Sequence, residues 1–168
     1  IADICEWFIS ESSKVRIDIS TNGAIGKPKT YQRLGKMGVN IVFGLDGSDQ
    51  ESNQLYRRNV KWSDAMDNLK AYSSECTAKD SSWQYLLYDE NKNHLESAIK
   101  IAIENKIKFF TIIERPVPFA AGRHESLDKL SGKHEIIKRE GQQLPVYFSG
   151  RRETGDHNDV EYILTPAF

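Results

Sequence analysis

Short strand-like runs alternate along this chain with stretches of helical period. The runs are Val15 to Ile19, Val39 to Phe43, Trp83 to Tyr88 and Lys108 to Ile113. Between them, Tyr31, Leu34 and Met37 recur every third residue, and Trp62, Ala65, Met66, Leu69 and Tyr72 follow the i, i+3, i+4, i+7 pattern. Leu95, Ala98, Ile99 and Ala102 form a third apolar stripe, widened by Ile101 and Ile103. A leading helix over residues 1–9 places Ile1, Ile4, Cys5 and Phe8 at helical spacing. A leading helix followed by βαβαβαβ predicts an α/β fold with parallel strands and right-handed crossovers.

Local signals set the boundaries. Pro28 is suited to open a helix, and Gly38 to stop it. Asn93 with Glu96 three residues later resembles a capping box ahead of the helix from Leu95 to Asn105. Residues 48–61 are expected to be a long polar loop. Beyond residue 115, Gly, Pro and charged residues rise and the periodicity weakens. A short helix within Lys129 to Glu140, an edge strand at Pro145 to Phe148 and another strand at Val160 to Leu164 are the expectations there. The domain reading is therefore 1–115 for the α/β unit and 116–168 for a connector.

Composition bounds the function. With 39% hydrophobic and 28% charged residues, the 168-residue chain is long enough to bury a core and is not of disordered composition. A net charge of −1 gives no electrostatic case for nucleic acid or an anionic membrane surface. No apolar run approaches the roughly 20 residues of a membrane helix, and no signal peptide is legible, so a cytoplasmic location is expected. Cys5 and Cys76 form no CxxC pair and read as reduced thiols. His124, His134 and His157 have no metal-binding spacing. No metal ligand is assigned to this chain.

The candidate site residues lie at the ends of the predicted strands. Parallel α/β sheets place their functional groups at the C-terminal ends of strands. The first run ends in Thr21-Asn22-Gly23, which is either a turn with Asn22 and Gly23 at positive φ or a source of polar contacts. The second ends in Gly44-Leu45-Asp46-Gly47, where Asp46 shapes a pocket or caps its own turn. Arg57 and Arg58 follow in the loop. They are solvated surface residues unless a ligand engages them; a guanidinium pairs two-to-two with a carboxylate. Asp89-Glu90-Asn91 ends the third run. Paired acids there more often solvate a loop than perform acid–base work, which makes Asn91 the better site candidate.

Three of these stretches together resemble radical S-adenosylmethionine (radical SAM) enzymes of the SPASM-associated subgroup. Gly44-Leu45-Asp46-Gly47 stands where that family commonly reads Ser-Ile-Asp-Gly, with Tyr56-Arg57 about ten residues on. Ile17 to Gly23 resembles the family's Thr-Asn-Gly strand end, and Asn91 matches a recurrent Asn. The resemblance runs in order over roughly residues 1 to 115. It implies a partial (β/α)6 barrel with its N-terminal units missing, in which the run at 108–113 is the last barrel strand. It also implies a [4Fe-4S] cluster that cleaves S-adenosylmethionine to a 5′-deoxyadenosyl radical, which abstracts hydrogen from a substrate. The cofactor-binding residues carried over are Thr21, Asn22, Gly44, Asp46 and Arg57, with Arg57 on the methionine carboxylate. No catalytic residue is assigned.

This sequence departs from the family in three ways. The Cys-x3-Cys-x2-Cys loop and the Cys-rich SPASM segment are absent, and Gly44 replaces the usual Ser. The chain begins at Ile1 inside an apparent helix. It is therefore expected to be a fragment, inactive alone, with cluster ligands outside it and an unpaired strand edge prone to association. The expected partners are a substrate, a peptide or protein by analogy, and a reductant for the cluster. A non-catalytic α/β module binding a nucleotide or small molecule is the alternative. It is weakened by the lack of a GxGxxG or P-loop pattern. An ordinary doubly wound hydrolase or transferase is a third reading, weakened by the lack of a GxSxG elbow in this sequence.

Overall fold

The computed structural model describes residues 1–12, 14–114, 134–139 and 142–149. Helix α1 (Ala2–Glu11) leads into β1 (Asp18–Thr21), α2 (Pro28–Lys36) and β2 (Asn40–Gly44). A short α3 (Gln50–Gln54) precedes α4 (Trp62–Glu75), β3 (Ser82–Leu87), α5 (Leu95–Glu104) and β4 (Phe109–Glu114). Strands β5 (His134–Arg139) and β6 (Gln142–Ser149) complete the described elements.

The six strands form one sheet in the order β1-β2-β3-β4-β6-β5. Strands β1 to β4 pair in sequence and in parallel, β6 adds parallel to β4, and β5 adds antiparallel to β6. This order decides between two α/β architectures. Right-handed crossovers that always step to the next strand in one direction leave every helix on the same face. A doubly wound sheet reverses direction and covers both faces. Here β3 alternates half-buried and buried residues, with Trp83, Tyr85 and Leu87 inward. Ile41, Phe43, Phe110 and Ile112 are buried with them. The opposite face carries Val42, Gln84, Leu86, Thr111 and Ile113, all half-buried. A single covered face is the geometry of part of a barrel.

The helices supply the other half of the core. Leu34 and Tyr31 of α2, Ala65, Leu69 and Tyr72 of α4, and Ala98 and Ala102 of α5 are buried. Tyr72 donates its hydroxyl to the Val39 carbonyl at 2.8 Å, so a buried polar atom is satisfied. Pro28 occupies the first helical position of α2, as expected. Gly38, at φ +72°, ends that helix: its N–H bonds to Gly35 O and the Val39 N–H to Leu34 O. That is a Schellman motif.

Several sequence expectations need correction. The buried residues of α1 are Ala2 and Cys5, whereas Ile4 and Phe8 are 56% and 46% exposed. Residues 48–61 are not all loop, because Asp49 and Ser52 form a reciprocal capping box that starts α3. Asn93 does not cap α5; the single 3₁₀ turn Lys92–His94 precedes it and no side chain caps it. The expected helix within Lys129 to Glu140 is a strand where the structure describes it, His134–Arg139. The run at 108–113 is not the last strand of the sheet, since β6 pairs beyond it. Pro145 lies within β6, between β4 and β5 rather than at the edge. Strand β1 ends the sheet on its N-terminal side. Val160 to Leu164, His124 and His157 lie outside the described residues.

Candidate functional site

The C-terminal ends of β1, β2 and β3 border a cavity of about 270 Å³ lined by Ser20, Thr21, Asn22, Val42, Gly44, Arg57 and Gln84. Arg57 is the charged residue among them. The sheet register explains the grouping. Ser20 lies beside Val42, and Gly44 lies beside Gln84. Side chains on one face of a strand recur every second residue, so Val42, Gly44 and Gln84 share the face that the helices leave open.

Arg57 is fixed from below. Its Nε donates to Asp46 Oδ2 at 2.6 Å, and the other carboxylate oxygen accepts the Leu86 N–H at 2.9 Å. The Asp46 side chain is fully buried, while that of Arg57 is 28% exposed. Burial pushes the Asp46 carboxyl above its ordinary value, against the opposing pull of the Leu86 N–H and the Arg57 guanidinium. Only Nε of Arg57 is engaged by Asp46, and Nη1 and Nη2 make no hydrogen bond among the described residues. The buried carboxylate is thus compensated, and the forked end of the guanidinium is left for a ligand.

Each neighbouring residue has a local reason for its place. Gly47 sits where α3 begins, and a Cβ there would run into the Asn53 backbone. Asn53, fully buried, accepts the Asp46 N–H through Oδ1 at 3.0 Å. Asn91 donates to the carbonyls of Asp46 and Leu86 and accepts the Tyr88 N–H. Trp83 Nε1 donates to Leu45 O at 2.8 Å. The Gly44–Gly47 turn is therefore held on several sides by side chains that contact its backbone.

Thr21, Asn22, Gly44 and Arg57 meet at the cavity, and Asp46 lies beneath Arg57 without lining it. Thr21 and Asn22 are also turn residues, accepting the N–H groups of Gly23 and Ala24. Gly23 alone takes positive φ there, at +76°, so the expectation of positive φ at Asn22 is corrected. Asp89 and Glu90 form no acid pair at the cavity. Asp89 meets Lys92, and Glu90 accepts the Tyr56 hydroxyl at 2.6 Å. That hydrogen bond holds the Glu90 carboxyl below its usual range. Tyr56 stacks on Tyr88 with ring centroids 3.6 Å apart.

Ser20 and Gln84 were not singled out from the sequence. The strand period that puts Gly44 on the open face also puts Gln84 there, but only the register between β2 and β3 makes them neighbours. Cys5 is buried and Cys76 half-buried, both as free thiols. Among the described residues, no group of three or more His, Cys, Asp or Glu is placed to hold a metal ion. No described helix is long and apolar enough to cross a membrane.

No known family pattern matches this chain, and no curated protein matches it. Solved structures do. Streptococcus suis SuiB bound to S-adenosylmethionine is similar at a TM-score of 0.59 and 16% identity, over 89% of this chain and 36% of SuiB. Another crystal structure of SuiB gives a TM-score of 0.58 and 16% identity over the same shares. SuiB bound to the precursor peptide SuiA gives 0.55 and 21%, over 68% of this chain and 26% of SuiB. At these identities the likeness shows the fold alone. The fold matches a partial radical SAM barrel. The chain spans between about a quarter and just over a third of the length of these structures.

Proposed function

We propose that this chain is part of a radical SAM enzyme of the SPASM-associated kind, and that the cavity beside Arg57 takes the methionine end of S-adenosylmethionine. The observation that carries the reading is the Arg57–Asp46 pair. A guanidinium is anchored through Nε by a buried carboxylate at the C-terminal end of a parallel strand, with its fork directed away from that anchor. A carboxylate is the ligand group that matches such a fork. The likeness to SuiB bound to S-adenosylmethionine supports the choice of ligand.

In this reading Arg57 binds the methionine carboxylate. Thr21 and Asn22 border the pocket, Gly44 floors it, and Asp46 orients Arg57. Bound S-adenosylmethionine, with a reduced [4Fe-4S] cluster, supplies hydrogen-abstraction chemistry to the complete enzyme. The described residues do not fit such a cluster, so its ligands are assigned outside them and no step at the cluster is given to this chain. A peptide or protein is the proposed substrate, supported by the structure of SuiB bound to its precursor peptide, and a cytoplasmic reductant would serve the cluster.

Titration calorimetry of the 168-residue chain with S-adenosylmethionine tests the reading. Saturable binding is expected, weakened tenfold or more in Arg57→Ala, since a hydrogen bond to a charged group contributes about 1.5–3 kcal/mol. Equal binding by the wild type and Arg57→Ala, or no binding by either, overturns it. With S-adenosylmethionine and a chemical reductant, the isolated chain is expected to release no 5′-deoxyadenosine.

A further inference from the structure

Gly44 stands against Arg57 in a way the sequence does not show. A Cβ built on Gly44 would lie 2.9 Å from Arg57 Nη2 and 3.4 Å from Cζ. Gly44 does not have positive φ, so its backbone conformation does not demand glycine. The guanidinium lies directly against the strand end, so a side chain at 44 would displace its tip. Beside Gly44 in register stands Gln84, whose side chain lines the same cavity and makes no hydrogen bond among the described residues.

We propose that Gly44 and Gln84 together determine which ligands the Arg57 site accepts. The missing side chain at 44 lets the guanidinium lie against β2, so the ligand carboxylate is met by Arg57 alone. Gln84 on the next strand then supplies the neutral polar contact, to the amino or carboxylate group of an α-amino-acid ligand. The proposal rests on the reading of the cavity as a site for the methionine end of S-adenosylmethionine.

Any β-carbon at 44 meets Nη2 closer than real Cβ contacts allow, and Asp46 holds Nε from the other side. The guanidinium tip would have to shift away from β2, and the Asp46 bond at Nε limits the directions open to it. Gln84 carries both a donor and an acceptor. A glutamate in its place would offer Arg57 a competing carboxylate beside the one it is meant to bind.

The test is a comparison of two ligands across five proteins. S-adenosylmethionine carries the amino-acid group; methylthioadenosine has the same nucleoside and sulfur without it. Gly44→Ala and Gln84→Glu are each expected to weaken S-adenosylmethionine about tenfold and to leave methylthioadenosine within about twofold of its wild-type affinity. In an Arg57→Ala background, Gly44→Ala should cost nothing further, because both changes act through the same guanidinium. The unchanged affinity for methylthioadenosine also reports that each variant is folded. If Gly44→Ala does not fold, Gln84→Glu carries the test by itself. Undiminished binding of S-adenosylmethionine by Gly44→Ala or Gln84→Glu, or equal losses for the two ligands, overturns the proposal. Wild-type protein that binds neither ligand overturns the underlying reading instead.

Discussion

Asn91 Nδ2 donates to the carbonyl oxygen of Asp46 at 2.9 Å, tying the turn after β3 to the turn after β2. The same nitrogen donates to Leu86 O at 2.8 Å, and Oδ1 accepts the Tyr88 N–H at 2.8 Å. One fully buried amide therefore holds the backbone from which Asp46 reaches Arg57. Asn91→Ala removes three contacts and leaves buried backbone groups without partners. Each such group costs about 1–3 kcal/mol, so the expected loss exceeds about 2 kcal/mol in urea denaturation. Asn91→Asp is expected to be no better, since it sets a carboxylate against two carbonyls. A loss below about 0.5 kcal/mol would remove Asn91 from this role.

Acid should weaken the site before it weakens ordinary carboxylates. Burial raises the Asp46 carboxyl above its usual value of 3.8. Protonation on the way down in pH then discharges the anchor of Arg57 while the ligand carboxylate is still ionised. Affinity for S-adenosylmethionine is expected to fall as pH drops through a value above 3.8. Stability runs the other way. A folded-state pKa above the unfolded one favours the fold while Asp46 is protonated, and that contribution is lost as pH rises through the folded value. Asp46→Asn should bind weakly at every pH and flatten the profile. Calorimetric titrations at several pH values decide this; an affinity that holds steady down to pH 4 would rule it out.

Gly35 marks the closest approach of α2 and α4. An added Cβ would sit 2.6 Å from the carbonyl oxygen of Tyr72, which is backbone and has little room to move. Although Ala is the better helix former, Gly35→Ala is expected to destabilise by about 1–3 kcal/mol through overpacking. A thermal melt unchanged or raised in Gly35→Ala would show that the two helices separate at no cost.

Lys106 offers a stabilising change. It ends α5 at φ +56°, with its N–H on Ile103 O and the Ile107 N–H on Ala102 O. This repeats the Schellman geometry that α2 closes with Gly38, but with a side chain in the left-handed region. Lys106→Gly should raise stability by about 0.5–1 kcal/mol, the strain relieved exceeding the added freedom of the unfolded chain. A lowered melting temperature would mean that the lysine side chain contributes more than its backbone costs.

Much of the fold was legible because the relevant physics is local. The i, i+3, i+4 stripe of Trp62 to Tyr72 and the helix start at Pro28 depend on chain periodicity and on the geometry of proline. Gly38 as a helix stop is of the same kind. The misreadings have physical reasons too. Helix α1 carries apolar residues on more than one side, and periodicity alone did not say which would meet α2. Ile4 and Trp7 are accordingly exposed while Ala2 and Cys5 are buried. The segment His134–Arg139 carries two isoleucines among charges, and pairing with Gln142–Ser149 makes it a strand.

The sequence by itself determined the alternation of strands and helices, and it placed Asn22, Gly44, Asp46 and Arg57 at strand ends or in the following loop. Tertiary structure alone decided what those residues are to one another. That Asp46 is an anchor beneath Arg57 rather than a turn cap, and that the guanidinium lies against Gly44, are matters of how the loop folds back on the strand end; that Gln84 faces the same cavity is a matter of strand register. Register is set by pairing between segments some 40 residues apart, where each hydrogen bond depends on the packing of both strands. Spacing along one chain carries no record of it.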